Sequence, residues 1–152
     1  MRKRTVIGGG LLALVLAGGL TGTAQAAADR VHHWGPVQSK GGHGGHAKAD
    51  VWLDDFDSER FVVSGKLYDR DRHGGHCAYI RVKFHYVSGG SGWSQGRYTC
   101  SSKGAAFTFS SDGEVHRADA KVCVLDRTRR EIRLRNCYTD PMRASVVADW
   151  PR

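Results

Sequence analysis

The chain has 152 residues, 40% of them hydrophobic and 25% charged, a size that suits one domain rather than several. Its formal net charge of +8 favours anionic partners but falls well short of a dedicated nucleic-acid arm.

Residues 1–26 carry the three parts of a secretory signal peptide in order. Arg2, Lys3 and Arg4 form a cationic start, an uncharged apolar run covers 6–20, and Ala24 and Ala26 offer the small side chains a signal peptidase needs. The expected mature start is Ala27. A membrane anchor is the rival reading, but spanning hydrocarbon takes about 20 apolar residues. This run has fifteen, five of them glycine. No cysteine near the cleavage site could accept a lipid and no second apolar run follows, so a secreted, extracellular protein with no membrane span after cleavage is expected. Removing Arg2, Lys3 and Arg4 leaves 20 basic against 15 acidic residues, a net charge of about +5.

Residues 27–49 are rich in Gly, His, Lys and Ala with almost nothing to bury, and read as a flexible arm. Residues 50–148 change to short runs of Val, Ile, Phe, Tyr and Thr separated by Gly, Ser and Asp, the texture of a single all-β domain. In 60–68, Phe61, Val63 and Leu67 alternate with Arg60, Ser64, Lys66 and Tyr68. In 77–87, Ala78, Ile80, Val82, Phe84 and Tyr86 alternate with Tyr79, Arg81, Lys83 and His85. In 117–125, Ala118, Ala120, Val122 and Val124 form the apolar set. Such period-two patterns give each strand one buried and one wet face. Shorter strands are expected over 51–53, 93–99, 105–109 and 131–138, and no stretch has a helical period. About seven antiparallel strands predict a two-sheet β-sandwich, Ig-like or jelly-roll-like, with a small barrel as the alternative. Residues 149–152 read as a loose tail, on which Trp150 could dock.

Four cysteines allow three pairings. Residues opposite each other in an antiparallel hairpin have a constant sum of sequence numbers. Cys123 with Cys137 centres a turn on Arg130, between two apolar runs, and Cys77 with Cys100 centres one at Ser88 and Gly89, beside a glycine-rich loop. Cross-strand disulfides Cys77–Cys100 and Cys123–Cys137 are therefore the most local solution, and an oxidising compartment favours them over free thiols.

The tetrapeptide His-Gly-Gly-His occurs twice, placing His43, His46, His73 and His76 on pliant backbone. Four imidazoles could chelate copper or zinc; apart from that, no cofactor is expected. Asp69-Arg70-Asp71-Arg72-His73-Gly74 opens like a calcium loop, but Ile80 stands where the twelfth-position glutamate belongs, so a charged turn is expected. Glu114, His116 and Arg117 suggest a secreted ribonuclease, yet nothing in the sequence positions a reacting group, and catalysis is not expected.

The wet faces carry the main functional expectation. Arg60, Lys66, Tyr68, Tyr79, Arg81 and Lys83 fall on outward positions of two strands, and Arg133 and Arg135 on the corresponding face of the last hairpin. If those strands are neighbours, they form a basic surface with interleaved tyrosines, suited to an anionic cell-wall polymer, a polysaccharide or a protein partner. Nucleic acid is not the expected ligand.

The strand before Tyr68-Asp69-Arg70-Asp71, the Gly turn, Cys77-Ala78-Tyr79-Ile80-Arg81-Val82, Val122-Cys123 and the final Cys137 together resemble small secreted actinobacterial proteins of uncharacterised function. That resemblance spans residues 60–138 and implies a disulfide-bridged β fold. The subtilisin-inhibitor and tendamistat-type amylase-inhibitor families share secretion, size and two disulfides. Cys137-Tyr138-Thr139-Asp140-Pro141-Met142 only faintly echoes the reactive loop of the first, and Trp93 stands apart from Arg97-Tyr98 where the second has consecutive Trp-Arg-Tyr. A hydrolase or protease inhibitor is thus one alternative to the binding module, beside the metal binder and the ribonuclease.

Overall fold

The computed structural model describes residues 32–128 and 132–149. Within them run nine strands: β1 (His32–Gln38), β2 (Ala47–Phe56), β3 (Phe61–Asp69), β4 (His76–Tyr86), β5 (Ser91–Trp93), β6 (Arg97–Thr99), β7 (Ala105–Ser110), β8 (Val115–Asp126) and β9 (Arg133–Arg143). A single turn of helix, α1 (Ala144–Ala148), follows. The strands build two antiparallel sheets, β1-β2-β3-β7 and β5-β4-β8-β9, with β6 also paired to β4. This is the expected two-sheet arrangement, and neither sheet closes on itself as a barrel would. No helix among the described residues is long and apolar enough to cross a membrane.

The core lies between the sheets and follows the alternation read above. Phe61, Val63 and Leu67 of β3 meet Ala78, Ile80, Val82 and Phe84 of β4 and the Ala118, Ala120, Val122 and Val124 set of β8, all buried. Phe107 and Phe109 of β7 and Val147 of α1 complete it. Because direct partners in an antiparallel ladder share a face, the eleven residue pairs that join His76–Tyr86 to Val115–Asp126 lock these two alternations together.

Both disulfides join the expected partners. Cys77–Cys100 ties β4 to the end of β6, with Cα atoms 4.3 Å apart, and Cys123–Cys137 ties β8 to β9 at 4.1 Å. Cys77 and Cys123 lie on the odd-numbered faces of β4 and β8, so both bridges sit on the outer side of the five-stranded sheet. They clamp its flanking strands to the central pair.

Two boundaries differ from the sequence reading. Residues 32–49, expected as a flexible arm, form β1 and the start of β2, with Val37, Ala47 and Ala49 fully packed in the core. Ala47, Ala49, Val51 and Leu53 alternate with Lys48, Asp50 and Trp52, a strand signal hidden by its small residues. The expected strand over 93–99 is two strands, β5 and β6. The β4–β5 pairs sum to 176 and the β4–β6 pairs to 177, so one extra residue intervenes. The leader, residues 27–31 of the arm, the centre of the last turn at Arg130, and Trp150 to Arg152 lie outside the described residues.

Replacing Cys123 and Cys137 together by Ser is expected to cost about 3 kcal/mol by the loop-entropy argument. That lowers the melting temperature by about 10 °C for a domain of this size, measurable by calorimetry on the oxidised protein. Val37→Ala checks that β1 belongs to the domain: it should cost about 1–3 kcal/mol, the value of a buried valine side chain. An unchanged denaturation midpoint would return the segment to an arm.

Candidate functional site

The eight residues expected to form one basic surface are divided by the topology into three groups. β3 and β4 are not neighbours; they belong to different sheets, whose outer faces point in opposite directions. Lys66 and Tyr68 therefore lie on the outer face of the four-stranded sheet, with Lys66 Nζ 5.5 Å and the Arg70 guanidinium 5.2 Å from the Tyr68 ring centre. Arg60 is held in the β2–β3 turn by Asp55, with Nε 3.1 Å and Nη2 2.5 Å from Oδ2, and this hydrogen bond raises the guanidinium pKa further.

Tyr79, Arg81 and Lys83 stand on the outer face of the five-stranded sheet, where the ladder adds partners the sequence reading missed. Lys83 is paired with Trp93, Tyr79 with Tyr98, and Arg81 with Lys121. The Arg81 guanidinium lies 3.8 Å over the Trp93 ring, Lys83 Nζ is 5.7 Å from the same ring, and Arg127 lies 5.3 Å over Tyr98. Trp93 and Tyr98 remain 43% and 55% exposed. Among the described outward strand positions of this sheet, Asp119 is the one carboxylate, and it is engaged by Arg117 Nε at 2.6 Å and His85 Nε2 at 2.8 Å. The result is a row of cations on exposed rings.

Arg133 and Arg135 do not join that face. From Arg143 to Tyr138, residues of β9 pair with β8 at a constant sum of 260, but Arg135 pairs with Val124 at 259. The extra residue is a bulge at Asn136, whose φ of +51° is in the left-handed region that asparagine tolerates. A one-residue slip moves side chains to the other face. Arg135 consequently turns to the inner side, where its Nε bonds Asp126 Oδ2 at 3.1 Å.

That inner side opens at the mouth of the sandwich, where the two His-Gly-Gly-His segments meet. His43 and Gly44 form the tip of a tight hairpin closed by Gly42 and Gly45, with N–H to O distances of 3.0 and 3.3 Å. The second segment turns on Gly74 and Gly75, with His76 N donating to His73 O at 3.2 Å. The loops are bonded to each other: Arg72 N donates to Gly44 O at 2.8 Å and Arg70 N to His46 O at 3.0 Å. Lys40 N donates to Asn136 O at 2.7 Å, so the bulge also anchors the first hairpin. Glycine is required here, since a Cβ on Gly44 would fall on the His73 ring and one on Gly45 would lie 2.1 Å from Arg70 O.

His43, His73 and His76 line one pocket of about 310 Å³ with Asp71, Val124, Arg135 and Asn136. His46 is not in it; it lines a neighbouring cavity of about 620 Å³ with Lys48, Asp69 and Arg70. Asp71 Oδ1 is 3.1 Å from His73 Nδ1 and Asp71 Oδ2 is 3.1 Å from His76 Nδ1. Burial pushes the Asp71 carboxyl up, but the His73 backbone N–H and the His76 and His73 rings outweigh it, and the net shift is down. Asp69 goes the other way, raised by burial. Asp126 is lowered by the Thr128 hydroxyl and backbone N–H.

The remaining candidates are dispersed. Glu114 precedes β8 in an exposed loop, His116 is the extra residue where the β4–β8 register breaks and lines a cavity beside Arg117, and Arg117 is bound by Asp119. The Tyr138–Met142 stretch is paired to β8 rather than held out as a loop.

Gly45→Ala is expected to strain a backbone at φ +133° against Arg70 O and to cost about 1–3 kcal/mol locally. Hydrogen exchange should then speed up at the Arg70 and Arg72 amides while the β4–β8 ladder stays protected. Comparison with known proteins leaves these two surfaces to be read from their own chemistry, since no family model, curated protein or solved structure matches the chain.

Proposed function

We propose that this chain is an exported, non-enzymatic binding module that holds an acidic polysaccharide or wall polymer on the outer face of its five-stranded sheet. Export is supported by the signal-peptide pattern of residues 1–26 and by two disulfides with no free thiol among the described residues. The resemblance to small secreted actinobacterial proteins agrees with it.

The observation that carries the binding reading is the stacking of Arg81 on exposed Trp93, flanked by Lys83 and Lys121 and followed by Tyr98 under Arg127. Aromatic faces pack on sugar rings, and cations beside them take up carboxylate, sulfate or phosphate oxygens. Each ring is also pre-positioned by the cation on it, which reduces the side-chain entropy lost on binding. The opposite face is less suited, because His33 Nε2 meets Asp50 Oδ1 there at 2.7 Å and the charges are balanced along the strands.

Retention on dextran sulfate, with neutral dextran as the control, tests the reading. Trp93→Ala is expected to weaken binding about tenfold, the value of one stacking contact. Arg81→Ala and Lys83→Ala should each weaken it less and reduce its salt dependence by about one released counterion. Lys66→Ala, on the other sheet, should leave it unchanged. Equal loss from Lys66→Ala and Trp93→Ala would mean diffuse attraction to a basic protein and would remove the assignment to this face.

A further inference from the structure

We infer that the mouth of the sandwich is a binding site for a divalent transition-metal ion, Zn²⁺ or Cu²⁺, held by Asp71, His73 and His76. One ligand atom from each of these residues lies within 4.8 Å of the other two. Asp71 Oδ1 is 3.1 Å from His73 Nδ1 and Asp71 Oδ2 is 3.1 Å from His76 Nδ1, so each imidazole already turns a nitrogen toward the carboxylate. An ion could enter between them with small rotations of the rings.

Four features separate this cluster from a polar turn. The Asp71 side chain is only 5% exposed, and a carboxylate that deep is kept when it is paired or when it coordinates a metal. The far nitrogen of His76, itself 17% exposed, lies 3.8 Å from Asp126 Oδ1, placing a carboxylate behind a ligating ring in the arrangement that orients imidazoles on metals. Asp126 is in turn fixed by Arg135 and Thr128. His43, carried by the opposing hairpin, lines the same pocket. The donor set of two imidazoles and one carboxylate selects borderline ions over calcium or magnesium, which take oxygen ligands. No thiolate competes, because all four cysteines are bridged.

The glycines acquire a purpose in this reading. Gly44 and Gly45 let the first hairpin approach the second loop closely, so that His43 and His73 line the same pocket. An ion bound there would brace the second loop, to which the first hairpin is already hydrogen-bonded, at the open end of the sandwich. It lies on the inner side of the five-stranded sheet, away from Trp93, so it is independent of the polymer-binding face.

Isothermal titration of the EDTA-dialysed, oxidised protein with Zn²⁺ and with Cu²⁺ tests the site. One ion per chain is expected. His73→Ala and His76→Ala should each weaken binding at least tenfold, and Asp126→Asn about tenfold, as loss of an outer partner does. His116→Ala, far from the mouth, should have no effect. His73 is exposed, so its variant should retain the wild-type melting curve and separate lost ligation from lost fold. As a second measurement, the Cu²⁺ electron paramagnetic resonance spectrum should show hyperfine splitting from at least two nitrogens in the wild type and from fewer in His73→Ala. The absence of stoichiometric uptake, or uptake and nitrogen count unchanged in the His73/His76 double alanine variant, would overturn the assignment.

Discussion

The antiparallel ladder between β4 and β8, clamped on either flank by a disulfide, is the constraint on which the rest of this structure depends. Eleven pairs, ten of them in one unbroken register from His76 to His85, fix which side chains of the two central strands face the core and which face out. Cys77–Cys100 then holds β6 against β4, and Cys123–Cys137 holds β9 against β8. Short edge strands such as the three-residue β5 and β6 contribute few backbone hydrogen bonds of their own. Their placement, and with it that of Trp93 and Tyr98, follows from being tied to a rigid neighbour. Because the bridges act mainly by restricting the unfolded chain, they stabilise this register without enlarging the core.

The mouth of the sandwich is held differently, by polar contacts rather than by sulfur or apolar packing. Successive Asp69, Asp71 and Asp126 side chains accept backbone N–H groups of residues two positions ahead: Asp71, His73 and Thr128. Each carboxylate thereby builds a local turn, and Asp71 and Asp126 present their second oxygens to His76 and Arg135. This explains why the segment reads like the opening of a calcium loop while lacking its later ligands. The alternating aspartates satisfy turn amides, and the histidines, not further oxygens, complete the cluster.

The period-two core was legible from the sequence because three long strands put a large apolar residue at nearly every second position. The cysteine pairing was legible because its arithmetic needs only that neighbouring strands be antiparallel. What could not be read were single-residue events. An extra residue between β5 and β6 puts Trp93 and Tyr98 on one face, although their numbers differ by an odd interval. The bulge at Asn136 does the reverse to Arg133 and Arg135, sending them from the expected outer face to the inner side. Neither bulge carries a compositional mark, since asparagine and short polar stretches also occur in ordinary strands. The arm was misread for a different reason: alanine at 47 and 49 buries little area, yet alternation there is as strict as in β4. The neighbourhood of β3 and β4 was a matter of topology, which alternation alone does not encode.

One strand serves both candidate surfaces. β4 begins with His76 on the inner side and continues with Tyr79, Arg81 and Lys83 on the outer one, separated by Cys77 and its bridge. In a flexible strand, an ion or a polymer held at one site would alter the register or twist presented at the other. Here the disulfide stands between them, and the β8 ladder spans the whole length of β4. Packed and cross-linked strands shift between discrete arrangements or not at all, and a slip of β4 along β6 would move Cys77 from its place opposite Cys100. The clamp that positions each surface therefore also insulates one from the other.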